Sequence, residues 1–109
     1  MIFLETHVFT RQVLKAMDDE SYRGLQSHLA AHPESGDLIR GSGGLRKIRW
    51  SGAGRGMQGG TRTIYYWDSG DMILMLFLYK KNERSDLTSE QLSVLRKIVG
   101  EFKDEKGKV

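Results

Sequence analysis

Residues 72–83 read Met72-Ile73-Leu74-Met75-Leu76-Phe77-Leu78-Tyr79-Lys80-Lys81-Asn82-Glu83. Eight apolar or aromatic residues run without a break into two lysines, an amide and a carboxylate. A run of that length cannot cross a bilayer, which needs about 20 residues. It suits a strand buried on both faces. Such a strand ends where the core ends, so Lys80, Lys81, Asn82 and Glu83 stand at the rim of the core in fixed positions. Working outward, the rest of the chain reads as a scaffold that holds these groups beside a basic surface.

The 109 residues suit one domain, taken as residues 1–109, with one modest core. Charged residues make up 28% and hydrophobic residues 39%, a globular composition and not a disordered one. The absence of cysteine excludes disulfides, thiolate metal sites and cysteine nucleophiles. Ile2-Phe3-Leu4 meets Glu5 too early for the core of a signal peptide, and no apolar run is long enough to span a membrane; a small core that must be stable without disulfides suits a reducing cytoplasm.

The net charge is +3, and its distribution says more than its size. Between Arg40 and Trp67 stand Arg40, Arg46, Lys47, Arg49, Arg55 and Arg62, with no Asp or Glu among them. The acids lie mostly in the first 37 residues and the last third. A segregated basic block points to a polyanion partner such as nucleic acid.

Residues 2–4 read as a short strand. Thr6 is placed to cap a helix whose stripe is Phe9, Val13 and Met17, with Leu14 adjoining. Asp18-Asp19-Glu20 ends it and opens a second helix, because acids favour a helix N-terminus. Tyr22, Leu25 and Leu29 form that helix's inner face, and Pro33 stops it near His32. Residues 34–44 are a loop. In the strand Leu45–Trp50, Ile48 and Trp50 point one way while Lys47 and Arg49 point the other. Residues 51–60 hold five glycines and join two strands. Residues 61–67 form the next strand, and the turn Asp68-Ser69-Gly70-Asp71 pairs it with the apolar strand as a hairpin. Thr88-Ser89-Glu90-Gln91 is a capping box, flanked by Leu87 and Leu92 as a hydrophobic staple. The stripe Leu92, Leu95, Ile98, Val99 and Phe102 then makes the last helix, and residues 103–109 are a polar tail expected to fray. The order β-α-α-β-β-β-α is an α+β pattern. It predicts a small antiparallel sheet with the helices packed on one face. The opposite face would stay partly open, carrying Lys47, Arg49 and Arg62.

Several motifs carry less than they suggest. Gly54-Arg55-Gly56-Met57-Gln58-Gly59 matches G-x-G-x-x-G, but a dinucleotide site needs a helix directly after it, and here a strand follows. His7, His28 and His32 give no metal-ligand spacing, and no serine or histidine sits in a triad context, so no metal or cofactor is expected. Tyr65, Tyr66, Trp67 and Tyr79 could stack bases, although strand aromatics are more often cross-strand pairs.

Leu45-Arg46-Lys47-Ile48-Arg49-Trp50, then Gly60-Thr61-Arg62-Thr63-Ile64-Tyr65-Tyr66, then Tyr79-Lys80-Lys81-Asn82-Glu83-Arg84-Ser85-Asp86-Leu87-Thr88 together resemble the RelE/HigB-type toxins of bacterial type II toxin–antitoxin systems. The likeness follows the order of elements along nearly the whole chain and is nearest to the HigB branch. It implies the RelE-like fold and a ribosome-dependent mRNA endonuclease that cuts in the ribosomal A site without metal or cofactor. It also implies a HigA-like antitoxin, contact with mRNA and ribosomal RNA, and no membrane partner. By position, Lys47 and Arg49 match the family's basic pair, Arg62 the arginine that opens the following strand, and Lys81 the lysine closing the central strand. Asn82 stands where a well-described member has arginine, and Thr88 where it has tyrosine.

On that resemblance, Arg62 would hold the scissile phosphate, and Lys47 and Arg49 would position phosphates and shield charge. Lys81 is the candidate for proton transfer, with Glu83 as second candidate base. Arg40, Arg46, Arg55, Lys80 and Asn82 would extend the ribosome-binding surface. Two alternatives share the same surface. One is a ParE-type gyrase poison with no RNA chemistry. The other is an RNA-binding module that does not cut.

Overall fold

The computed structural model describes residues 1–51, 60–68, 70–84 and 86–107. The elements are β1 (Ile2–Glu5), α1 (His7–Ala16), α2 (Asp19–Ala31), β2 (Asp37–Leu38), β3 (Leu45–Trp50), β4 (Thr61–Asp68), β5 (Met72–Lys80) and α3 (Ser89–Gly107). The caps follow the sequence. The Thr6 hydroxyl accepts from the Phe9 amide at 3.0 Å, and Asp18 Oδ1 accepts from the Ser21 amide at 2.8 Å. At the start of α3 the capping box closes both ways, with Gln91 N–H to Thr88 Oγ1 at 3.0 Å and Thr88 N–H to Gln91 Oε1 at 2.9 Å.

The strands form one sheet in the order β1-β5-β4-β3-β2. The α+β class stands, and two details differ from expectation. The sheet is mixed, because β1 pairs with β5 in parallel while the other pairs are antiparallel. The antiparallel helix pair and the β2 loop leave β3 running in the sense of β1, and two hairpin reversals keep β5 in that sense. The helices also cover both faces. Phe9, Val13, Leu25 and Leu29 of α1 and α2 pack on Ile48, Tyr65, Ile73, Met75 and Leu78. Leu95 and Val99 of α3 pack on Leu45, Ile64, Leu74, Leu76 and Tyr79 on the other face. That second face carries too many apolar side chains to stand in water, and the α3 stripe is what buries them.

A bulge in β5 decides which side chains reach which face. Ile64 pairs with Phe77 and Tyr65 with Met75, so Leu76 is an extra residue in the ladder. Before it, Ile73 and Met75 face α1 and α2. After it the alternation is inverted, and Tyr79 falls on the α3 face. The edge of β5 beyond β1 is sealed by side chains of α1 and its cap. Thr6 Oγ1 donates to the Leu76 carbonyl at 2.8 Å, and the Leu78 amide donates to Gln12 Oε1 at 2.8 Å.

Three local expectations are corrected. Leu14, read as adjoining the inner stripe of α1, is 72% exposed, and Ala16 takes the inner position instead. The loop at residues 34–44 contains the two-residue strand β2, held because Tyr65 donates to the Pro33 carbonyl at 2.7 Å and accepts from the Gly36 amide at 2.9 Å. A side chain at Gly36 would put its Cβ 2.8 Å from the Tyr65 hydroxyl, so this close approach requires glycine. The segment from residue 103 onward does not fray at once, because α3 runs to Gly107 and the Lys103 ammonium lies 4.9 Å from the centre of the Tyr66 ring.

Candidate functional site

Sheet register builds the site. Arg49 pairs with Arg62, and Arg62 pairs with Tyr79, so these three stand in one row across β3, β4 and β5. The neighbouring row is Lys47, Ile64 and Phe77. Both rows lie on the α3 face, where Ile64 and Tyr79 are buried in the α3-side core while Arg49 is exposed and Lys47 and Arg62 are partly exposed. Three cations, from Lys47, Arg49 and Arg62, are thereby set on adjacent strands. Strand spacing of about 4.8 Å sets the separation of the backbones that carry them.

The segment after β5 folds back across the second row. The Arg84 guanidinium lies 5.7 Å above the centre of the Phe77 ring. Asp86 Oδ1 lies 3.6 Å from Lys47 Nζ, and Leu87 enters the α3-side core. Arg84, Asp86 and Leu87 therefore act as a strap over the Lys47–Ile64–Phe77 row and leave the Arg49–Arg62–Tyr79 row beside it. Tyr79 is only 4% exposed, and its hydroxyl has no hydrogen-bond partner among the described residues. Burial raises the Tyr79 pKa, the Asp86 charge raises it further, and the Arg62 and Arg84 charges lower it. Those three charges thus converge on one buried hydroxyl.

The other residues singled out in the sequence are placed as follows. Lys81 and Asn82 are exposed in the turn after β5, where the Lys81 amide donates to the Gly60 carbonyl at 3.4 Å. Glu83 and Lys80 line a groove of about 270 Å³ between Gln12 and Lys15 of α1 and Phe77, Tyr79 and Arg84. Arg40 is exposed in the turn after β2. Arg46 lies on the opposite face from Lys47 and has a structural job instead, donating to the Glu34 and Gly36 carbonyls at 2.8 Å each. Arg55 and the G-x-G-x-x-G loop lie outside the described residues. His28 and His32 lie near Trp50 in tilted ring contacts, with ring centres 5.5 Å apart from each other and 5.6 Å from His28 to Trp50. Among the described residues no group of His, Cys, Asp or Glu is placed to hold a metal ion, and no helix is long and apolar enough to cross a membrane.

The sequence alone did not point to Asp86, Arg84 and Tyr79 as neighbours of the cations of β3 and β4. The Asp86-Leu87-Thr88 stretch reads as the approach to a helix cap, and only the strap's path over the sheet brings Asp86 to Lys47. Tyr79 was weighed only for stacking, because the bulge that sets its face has no signature in a continuously apolar strand.

A family model described as the RelE toxin of the RelE / RelB toxin–antitoxin system matches residues 5–108. The chain belongs to the RelE toxin family. Among solved structures it is similar to an arginine double mutant of the E. coli toxin RelE in the free state, with a TM-score of 0.56 and 16% sequence identity, covering 90% of this chain and 96% of that one. At that identity the likeness concerns the fold, and it extends over the sheet and helices together. Membership of the RelE family makes this chain the toxin of a toxin–antitoxin pair, with an antitoxin as its partner. The row Arg49–Arg62–Tyr79 and the strap are features of this RelE-family chain's own residues.

Proposed function

We propose that this RelE-family toxin is a ribosome-dependent mRNA endonuclease. On this reading it cuts the message in the A site by attack of the RNA's own 2′-hydroxyl on the neighbouring phosphorus. The observation that carries the reading is the cationic row: Arg49 and Arg62 side by side on β3 and β4, flanked by Lys47. An in-line phosphoryl displacement needs alignment, removal of one proton, donation of another and stabilisation of the extra negative charge. Fixed cations can supply that stabilisation without a metal.

Arg62 binds the scissile phosphate, because a planar guanidinium can grip two oxygens at once. Arg49 and Lys47 hold the flanking phosphates. Lys81, on the turn beyond the row, gives or takes a proton, and Glu83 is the second candidate. The wider surface of Arg40, Arg55, Lys80 and Asn82 meets ribosomal RNA. The resemblance to the HigB branch supports a HigA-like antitoxin as the partner that blocks this activity. The work is done in the bacterial cytoplasm, where ribosomes translate.

Arg62→Ala and Lys81→Ala test the assignment. Expressed without antitoxin, each should relieve growth arrest and leave cellular mRNA intact. Both remaining fully toxic, with normal cutting on ribosomes, would overturn it. Growth arrest by the unaltered toxin with broken DNA and unimpaired translation would instead identify a gyrase poison.

A further inference from the structure

The basic row has one carboxylate built into it. The stretch from Arg40 to Trp67 that supplies Lys47, Arg49 and Arg62 contains no acid, and Asp86 is brought to it by the strap. The strap is anchored on both sides of Asp86. On one side Arg84 lies over Phe77. On the other, Leu87 packs against the α3-side core and the Thr88–Gln91 box starts α3. The carboxylate is itself fixed. Its Oδ1 accepts from the Leu87 amide at 2.9 Å and pairs with Lys47 Nζ at 3.6 Å. Its Oδ2 makes no hydrogen bond among the described residues, and the side chain is 67% exposed. Asp86 is therefore held by one oxygen and open to solvent, next to the cations that would bind phosphate. That Asp86, Arg62 and Arg84 all act on the Tyr79 hydroxyl agrees with this placement.

We propose that Asp86 is the general base of the cleavage, with Oδ2 taking the proton of the attacking 2′-hydroxyl and Lys47 holding the carboxylate in place. The inference rests on the endonuclease reading above and prefers Asp86 to Glu83 as the candidate carboxylate, because Asp86 Oδ1 pairs with Lys47 Nζ of the cationic cluster at 3.6 Å. In the step, the 2′-oxygen gives its proton to Asp86 and forms a bond to phosphorus. The bond from phosphorus to the 5′-oxygen breaks, and that oxygen leaves with a proton from the Lys81 ammonium. The products are a 2′,3′-cyclic phosphate and a 5′-hydroxyl. Asp86 and Lys81 then return to their starting charges by exchanging protons with water. Lys47 is a positioning residue for the base as well as a phosphate ligand.

The test uses purified ribosomes carrying a defined mRNA, with the unaltered toxin, Asp86→Asn and Asp86→Glu. Binding is read by co-sedimentation and cutting by single-turnover rate. Asp86→Asn should bind ribosomes within about threefold of the unaltered toxin and cut about 10²-fold or more slowly, the usual contribution of a general base. Asp86→Glu should recover part of the rate. Because Asp86 is exposed, the melting temperature should not change. Cutting by Asp86→Asn at the unaltered rate or faster would overturn the proposal, and a faster rate would mark the Lys47–Asp86 pair as a latch that the substrate must break. A loss of binding in proportion to the loss of cutting would also overturn it. If the unaltered toxin binds ribosomes and leaves mRNA whole, the endonuclease reading falls and takes the base with it.

Discussion

Arg62 occupies the middle of its row, with Arg49 on one side and Tyr79 on the other. Removing it with Arg62→Ala should slow cleavage on ribosomes about 10²–10³-fold, the usual loss when one well-placed donor is taken from developing negative charge. Arg62→Lys should recover only part of the rate, because an ammonium cannot grip two oxygens in a plane. Tyr79→Phe asks a different question. The buried hydroxyl without a partner costs about 1–3 kcal/mol, so its removal should raise the melting temperature if the hydroxyl has no task. Burial also raises the pKa values of Tyr22, Tyr65 and Tyr79 above their ordinary 10.0, and for Tyr22 the hydrogen bond and charge of Glu5 add to it. The folded protein then keeps protons that the unfolded chain would release. The resulting stability is complete below about pH 10 and is lost as the pH rises above it. Thermal melts between about pH 8 and pH 11 should show that decline, and Tyr22→Phe should make it shallower while lowering stability at neutral pH. At this scale the cations were legible in the sequence, since alternation in Leu45–Trp50 puts Lys47 and Arg49 opposite Ile48 and Trp50. Tyr79 and Asp86 were not, because their places depend on a bulge and on a chain crossing that no local pattern encodes.

Among the elements, β5 and α3 set the geometry of the site. The inverted alternation after Leu76 brings Tyr79 onto the face of Arg62, and the cap at Thr88 fixes where the strap ends. Thr88→Ala breaks the capping box and should cost about 1 kcal/mol, read by chemical denaturation. It should also reduce cleavage by more than that loss of stability explains, since the strap carries Asp86. Gly60, just before β4, has φ +69°, and a Cβ there would lie 2.7 Å from the Trp50 carbonyl oxygen. Gly60→Ala should therefore destabilise the protein by about 1 kcal/mol or more. The helices, their caps and the hairpins were readable because each rests on neighbours within a few residues. The parallel pairing of β1, the short β2 and the placement of α3 on the second face were not. Each of these is decided by contacts between distant parts of the chain, such as Leu95 with Leu45 or Tyr65 with Pro33.

Across the whole molecule, the net charge of +3 is carried unevenly, and Lys47, Arg49 and Arg62 of β3 and β4 share one face of the sheet. Ribosome binding should weaken steeply as salt rises, because each phosphate contact releases counterions. A variant lacking Lys47 and Arg49 should show a shallower dependence, measurable by co-sedimentation across a salt series. The overall architecture was foreseeable from the order of elements and from the family resemblance carried by the β3, β4 and β5 residues. The way two cores share one sheet, with Lys47, Arg49 and Arg62 on one of its faces, needed the three-dimensional arrangement. One reaction tests cleavage most directly: a defined mRNA incubated with the toxin in a purified translation mixture, with and without ribosomes, and the ends of any fragments identified. The prediction is cutting within the message only when ribosomes are present, leaving a 2′,3′-cyclic phosphate and a 5′-hydroxyl. An intact message in both tubes, with toxin that still binds its antitoxin, would contradict it.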